Sequence, residues 1–276
     1  MTRLSIIIAS SSDAAACEDT LASVLQNRPT DADIWLVHSL PYDDPYGLGE
    51  EVNFLQSSRS TIAGRVAVAC EQVRGEVVHL LPAGATVTEG WTDAAVAHFA
   101  QRGVGEVTPR TMTTGCGFYR RQAVLPFLPE LETGDNELFA RDLALSLEEA
   151  GWQSVVEPSC VPQVTSFPAI QDAPRQHGRA AERMFWRHAS GPGAVVGHPF
   201  QVLGEAVSRG LGSAAPRLLG HLAGLLEFGL AAKHRRLVDE AADARAAFEN
   251  ETAVLPFPTA RSASRGAVQP AYRRAA

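Results

Sequence analysis

No two of the four cysteines, Cys17, Cys70, Cys116 and Cys160, form a CxxC pair. That removes the usual spacing patterns for zinc and for thioredoxin-like redox chemistry. Four scattered cysteines in 276 residues read as reduced, mostly buried thiols, with a disulfide framework as the minor alternative. Long apolar runs are also missing. The nearest, Leu218 to Ala232, carries His221 and Glu227 and is too short to span a bilayer. At the N-terminus the apolar run is only Ile6 to Ala9, which is strand length and shorter than the apolar segment of a signal peptide. Positive charge is not in excess: the formal net charge is -7, so nucleic acid is not an expected partner. No internal repeat is visible. What remains is ordinary globular material, 45% hydrophobic and 20% charged, enough for one large α/β domain with an appendage or for two small domains.

Leu4–Ala9 reads as a buried parallel strand, continuous and β-branched. A polar loop, Ser10 to Asp13, leads to a helix over Cys17 to Asn27 with Leu21, Val24 and Leu25 on one face. Asp33–His38 is the second strand, Ser60 to Gln72 a helix closed by Arg74 and Gly75, and Val77–Leu81 the third strand. Glu89 to Gln101 is a helix with Trp91, Ala94, Ala95, His98 and Phe99 in a stripe. Gly105–Val107 is a short strand. Asp142 to Ala150 reads as a helix ended by Gly151, followed by a strand over Trp152 to Glu157. Strand and helix alternating at this spacing predict a mostly parallel sheet with helices on both faces. Beyond about residue 170 the composition turns helical, over Arg179–Ala189, Phe200–Arg209, Ala215–Lys233 and His234–Asn250. From Leu255 the chain is rich in Pro, Ser, Arg and Ala and reads as a disordered tail. The expected division is 1–165, 166–252 and 253–276.

Four blocks together resemble the family 2 glycosyltransferases and their GT-A fold. They are Leu4–Ser10; Thr20–Gln26 with Asp33–Val37; Arg74–Leu81 running to Gly90–Trp91; and Gly117–Arg121 with Asp142–Leu143 and Ala150–Trp152. Gly75–Glu76 and Gly151–Trp152 are the strongest anchors. The resemblance implies a GT-A-like α/β/α sandwich with a C-terminal α-helical extension. It also implies a nucleotide-diphospho-sugar donor bound at the carboxyl ends of parallel strands. Such proteins usually hold Mg²⁺ or Mn²⁺ on an Asp-x-Asp after the third strand and use a further carboxylate as base. Here Pro82, Ala83 and Gly84 stand in place of the Asp-x-Asp, so Mg²⁺ or Mn²⁺ dependence is doubtful and no metal ligand is assigned. His38 and Ser39 stand where an acidic pair reads the nucleotide.

The donor-binding candidates are therefore Ala9, Ser10, His38, Ser39, Arg65, Pro82, Ala83 and Gly84. Arg65 reads either as a charge near the family's nucleotide pocket that offsets diphosphate without a metal or as an exposed helix arginine. The turn from Pro82 to Ala85 reads either as a phosphate cradle of backbone N–H groups or as a plain tight turn. The candidates for base are Asp135, Glu137 and Asp142, with Asp142 reading first as a helix N-cap. Arg120 and Arg121 read as a solvated face or as phosphate contacts, and His79 as a hydrogen-bonded core residue. The helical stretches Arg183–His188 and Leu218–Phe228 read as packed hairpins, with peripheral membrane contact or a lipid-linked acceptor as the alternative. The expected activity is sugar transfer to a hydroxyl acceptor with inversion, in the cytoplasm or at the inner face of the membrane. The rival reading is a catalytically silent relative that binds a nucleotide, a glycan or a partner, and a third is a nucleotidyltransferase-like enzyme.

Overall fold

A computed structural model of the chain describes residues 3–9, 14–39, 42, 44–59, 61–109, 116–131, 133, 135–164, 173–208 and 211–250. Its centre is a seven-stranded sheet in the order β3-β2-β1-β4-β7-β6-β8. The strands are β1 (Leu4–Ala9), β2 (Asp33–His38), β3 (Val52–Gln56), β4 (Val77–Pro82), β6 (Val104–Thr108), β7 (Gly117–Arg120) and β8 (Gln153–Val156). A separate two-stranded pair joins β5 (Ala85–Thr86) to β9 (Gln163–Val164). β1 pairs in parallel with β2 on one side and β4 on the other, and β2 with β3. Only β7 runs against its neighbours, β4 and β6. The carboxyl ends of β1, β2, β4 and β6 thus share one edge.

Alternation along β1 explains the layers. Leu4, Ile6 and Ile8 enter a core with Leu21 and Val24 of α1 (Ala14–Gln26) and Ala95 of α3 (Asp93–His98). Ile7 and Ala9 enter the opposite core with α2 (Ile62–Gln72) and α5 (Asn136–Glu149). A strand buried on both faces needs a near-continuous apolar run, and β1 and β4 have one, interrupted only by the buried Ser5 and His79. β3 lacks it: Val52 is buried but Asn53 is exposed, and no strand is read from the sequence between Asp33–His38 and Val77–Leu81. After β7 comes a short helix, α4 (Arg121–Val124).

Three local expectations are corrected. α5 begins six residues earlier than Asp142, because the apolar period of Phe139, Leu143 and Leu147 extends back to a cap at Asp135. The Asp135 carboxylate accepts the N–H groups of Glu137 at 2.9 Å and Leu138 at 3.0 Å, satisfying donors that a helix start leaves open. Asp142 lies within the helix and is not a cap. Gly75 is not a helix-ending glycine but a point of close approach: a Cβ there would lie 2.7 Å from the Ser5 nitrogen. Gly151 does end α5 as expected, at φ 80°. The N–H groups of Gly151 and Trp152 reach the carbonyls of Glu148 and Leu147, both at 2.9 Å, a Schellman ending.

The C-terminal part is helical: α6 (Pro174–His188), α7 (Pro192–Ser208), α8 (Leu211–Leu225) and α9 (Gly229–Asn250). The break expected between Lys233 and His234 falls instead before Gly229. α6 and α8 touch backbone to backbone at Gly178 and Gly220, where a Cβ would lie 2.3 and 2.1 Å from the carbonyl oxygens of Arg217 and Arg175. α9 returns to the sheet, placing Val238 and Ala241 in the same core as α2 and α5. Among the described residues no helix is long and apolar enough to cross a membrane.

Two buried histidines give the fold a pH dependence. His79 Nδ1 faces the Gly117 carbonyl at 3.0 Å, Nε2 accepts from the Trp91 indole at 3.2 Å, and the ring stacks on Phe118. It is a core histidine, as read from the sequence. His234 is buried on the inner face of α9. Burial pushes each down to about 4. The unfolded chain takes up these protons below about 6.5, so stability is lost as pH falls from about 6.5 to 4, by about 3 kcal/mol for each residue. His188 does not offset this. Although burial opposes it, hydrogen bonds to Asp142 and Glu149 hold His188 above its ordinary value. Its contribution is therefore complete below about 6.5 and fades only as the pH rises through that raised value. Urea titrations at pH 7 and pH 4.5 are expected to show a clear drop in midpoint; equal midpoints would contradict these assignments.

Candidate functional site

The parallel register sets Ala9 against Val37 and Pro82 at the carboxyl edge. Ala9 is buried, and Ser10 lies outside the described residues. His38 ends β2, nearly buried, with its ring 6.1 Å from Tyr42; Tyr42 in turn stacks on Phe54 at 5.2 Å. Ser39 beside it is exposed. Tyr42 was not among the residues picked from the sequence, since nothing local marks it as the ring beside His38.

After β4 the chain turns at Ala83 and Gly84, with Gly84 at φ 89°. The Gly84 N–H is bound by α1, donating to Thr20 Oγ1 at 2.8 Å and to the Ala16 carbonyl at 3.0 Å. Of the two readings of this turn, that N–H supports the plain one: it pins the turn to α1 and does not face a phosphate. Ala83 packs on Ala16 and Cys17.

Arg65 stands next to this cluster. It is the fourth residue of α2, whose start is fixed by Thr61 accepting the Gly64 N–H at 3.1 Å. The residue is only 5% exposed, and its Nε has no hydrogen-bond partner among the described residues. Burial lowers its pKa, while the nearby Cys17 thiol acts in the opposite direction. Buried guanidinium groups are normally paired, and among the described residues no carboxylate is paired with this one.

The second part of the site is the start of α5. Phe139 joins Ile62, Val66, Ala9 and Pro82 around a small apolar cavity of about 10 Å³, so the first turn of α5 lies against the tips of β1 and β4. One turn back, Asp135 Oδ2 meets His177 Nδ1 of α6 at 3.2 Å. The hydrogen bond from His177 holds the Asp135 carboxyl below its ordinary value, burial opposing it and the N–H groups of Leu138 and Glu137 assisting. Asp135, Glu137 and His177 line a cleft of about 470 Å³ between α5, α6 and α7, with Glu137 exposed. Asp142 is set differently. It is buried, with Oδ2 on the Arg187 guanidinium and Oδ1 at 2.8 Å from His188 Nε2. His177 escaped notice in the sequence because its partner is 42 residues away.

Arg120 is corrected outright. It is fully buried at the opposite edge of the sheet, with Nη1 on Glu76 at 2.6 Å and three further bonds to the carbonyls of Val104, Phe99 and Gln101. Its role is to hold the turn before β6. Arg121 bonds the Cys70 carbonyl at 3.2 Å.

A hard cation at the strand tips would need oxygen ligands. Ala83, Gly84 and Ala85 offer none from their side chains. Among the described residues, groups of three potential ligands occur only as Glu149, His188 and His234, and as Glu182, His198 and His221, all carried by α5 to α9. The described strand tips therefore do not fit Mg²⁺ or Mn²⁺.

This architecture is the GT-A, nucleotide-diphospho-sugar transferase fold. The chain is similar to mannosyltransferase PcManGT from Pyrobaculum calidifontis, solved in complex with GDP-Man and Mn²⁺, at 16% identity and TM-score 0.54, covering 91% of this chain and 87% of that one. It is also similar to residues 1–349 of TarS from S. aureus, at 11% identity and TM-score 0.57, covering 90% and 92%. No protein-family model and no curated protein matches the chain.

Proposed function

We propose that the chain transfers a sugar from a nucleotide-diphosphate donor to a hydroxyl acceptor by single displacement with inversion. The observation that carries this is Arg65, a buried guanidinium whose Nε lacks a partner, beside the turn that follows β4 in a GT-A fold. The donor diphosphate would lie against it, and the fixed cation would offset the charge that grows as the diphosphate leaves. The acceptor oxygen attacks the anomeric carbon as the bond from that carbon to phosphate oxygen breaks. The acceptor proton passes to the Asp135–His177 pair, and the electron pair leaves with the diphosphate. Asp142 is set aside as base because it is buried against the Arg187 guanidinium and does not line the 470 Å³ cleft that Asp135 and His177 face, and Glu137 because among the described residues it has no buried partner to orient it. Loop 82–84 contributes shape, while His38 and Tyr42 offer rings on which a base can stack. Exposed Val196, Phe200, Leu222 and Leu226 on and next to α7 and α8 suit a lipid-linked acceptor at a membrane surface.

The test pairs binding with turnover. Nucleoside diphosphates and nucleotide sugars should raise the melting temperature by mass action, equally with EDTA and with Mn²⁺. Asp135→Asn keeps a capping side chain but removes the base; kcat for transfer should fall about 10²–10⁴-fold, with donor affinity unchanged. No stabilisation by any nucleotide would sink the proposal. Binding without turnover in the wild type would identify the silent relative.

A further inference from the structure

A second constellation lies in the helical extension and is not used by the proposed chemistry. Glu182 is buried on α6. His198 of α7 brings Nε2 to 2.8 Å from Glu182 Oε2, and His221 of α8 brings Nδ1 to 2.7 Å from the same oxygen. The three ligand atoms lie within 4.8 Å of one another. We infer that Glu182, His198 and His221 form a site for a divalent transition metal of the zinc class.

The chemistry of the donors argues for such an ion. Two imidazole nitrogens and one carboxylate oxygen are a ligand set for Zn²⁺, with a fourth position left to solvent or to a bound molecule. A tetrahedral ion with bonds of about 2.0–2.1 Å spaces its ligand atoms roughly 3.3 Å apart. The present spacings of 2.7 and 2.8 Å need to open by only about half an ångström to admit it.

The surroundings orient the ligands as outer partners of metal sites do. The Trp186 indole N–H donates to Glu182 Oε1 at 2.7 Å, which turns Oε2 toward the histidines. Phe185 stacks on the His198 ring at 3.6 Å and 4°, fixing its plane. Arg179 and Arg183, which flank Glu182 on α6, both pair with Glu227. His198 and His221 also line the 470 Å³ cleft, so the open coordination position faces a space large enough for a ligand. The other group, Glu149, His188 and His234, is less suited: His188 is bound to Asp142, which already holds the Arg187 cation. A metal at Glu182 would clip α6, α7 and α8 together, each supplying one ligand.

The full chain, stripped with EDTA and dialysed, should bind one equivalent of Zn²⁺ by calorimetry. Co²⁺ at the same site should give the visible absorption of a four- or five-coordinate ion. His198→Ala and His221→Ala should each weaken Zn²⁺ binding about 100-fold. Glu182→Gln keeps the acceptor for Trp186 and should also lower affinity. His188→Ala should leave the stoichiometry at one. Circular dichroism checks the fold of each variant, and the wild-type stoichiometry and Co²⁺ spectrum decide the question even if a variant fails to fold. A wild type that takes up no stoichiometric metal, or binding untouched by His198→Ala and His221→Ala, would overturn the site. Loss of binding on His188→Ala alone would place the metal on the other group and equally overturn it.

Discussion

Arg65→Met is expected to abolish donor binding while leaving the fold as stable as before, or more so. The two effects have opposite signs because of where the charge sits. In the absence of ligand Arg65 is almost completely buried, with its Nε unbonded. Removing a desolvated, unpaired charge and keeping an apolar stem of similar length relieves a cost. With the donor present, the same guanidinium is the one fixed cation argued to meet the diphosphate. Losing such a preorganised group costs roughly 10²–10³-fold. Differential scanning fluorimetry with and without UDP, GDP and ADP reads both quantities on one sample. The unliganded melting temperature should hold or rise, and the nucleotide-induced shift should vanish. A variant several degrees less stable with its nucleotide shift intact would show Arg65 to be a structural residue, and the donor would have to lie elsewhere.

How much of this was legible follows from how local each signal is. β1 and β4 are runs of apolar and β-branched residues that can only be buried strands, and the alternation with helices was sufficient for the fold class. β3 was missed because this edge strand, with Asn53 and Gln56 exposed, offers neither a continuous apolar run nor a clean alternation. β7 was missed because its direction depends on partners at Val77 to Leu80 and Glu106 to Val107. At the site, Arg65 could be chosen by its neighbourhood in sequence, but not its isolation, which depends on what fails to pack against it. The carboxylates show the limit most clearly. Asp135 and Asp142 are chemically identical, seven residues apart on one helix. What separates them is α6, which brings His177 to the first and Arg187 with His188 to the second. No pattern within α5 encodes that difference. The stretch from Arg183 to His188 illustrates the same point: its packing depends on Arg187 meeting Asp142 of α5 and Arg183 meeting Glu227, partners that lie outside the stretch.

That division of labour along α6 makes Arg187 the residue whose loss should be felt most in stability. Arg187 joins Asp142 and the Glu130 carbonyl, and His188 bridges Asp142 to Glu149 at 2.8 and 2.9 Å. Arg187 and Asp142 are 6% and 4% exposed, so water cannot take over either role. Arg187→Met leaves the Asp142 carboxylate buried with only a histidine for company, and should lower stability by about 3–5 kcal/mol. Asp142→Leu alone strands the guanidinium and should cost a similar amount. The double variant removes both charges and should recover most of the loss, since buried pairs replaced by apolar residues are often neutral. The urea midpoints of the four proteins form a cycle whose coupling term is expected to be large. Additive effects, or single losses under about 1 kcal/mol, would mean that the pair is solvated in practice. The consequence for activity follows from the geometry: the same two helices carry Asp135 and His177. Loosening their junction should reduce turnover in Arg187→Met more than it reduces donor affinity, because Arg65 sits on α2 and keeps its place.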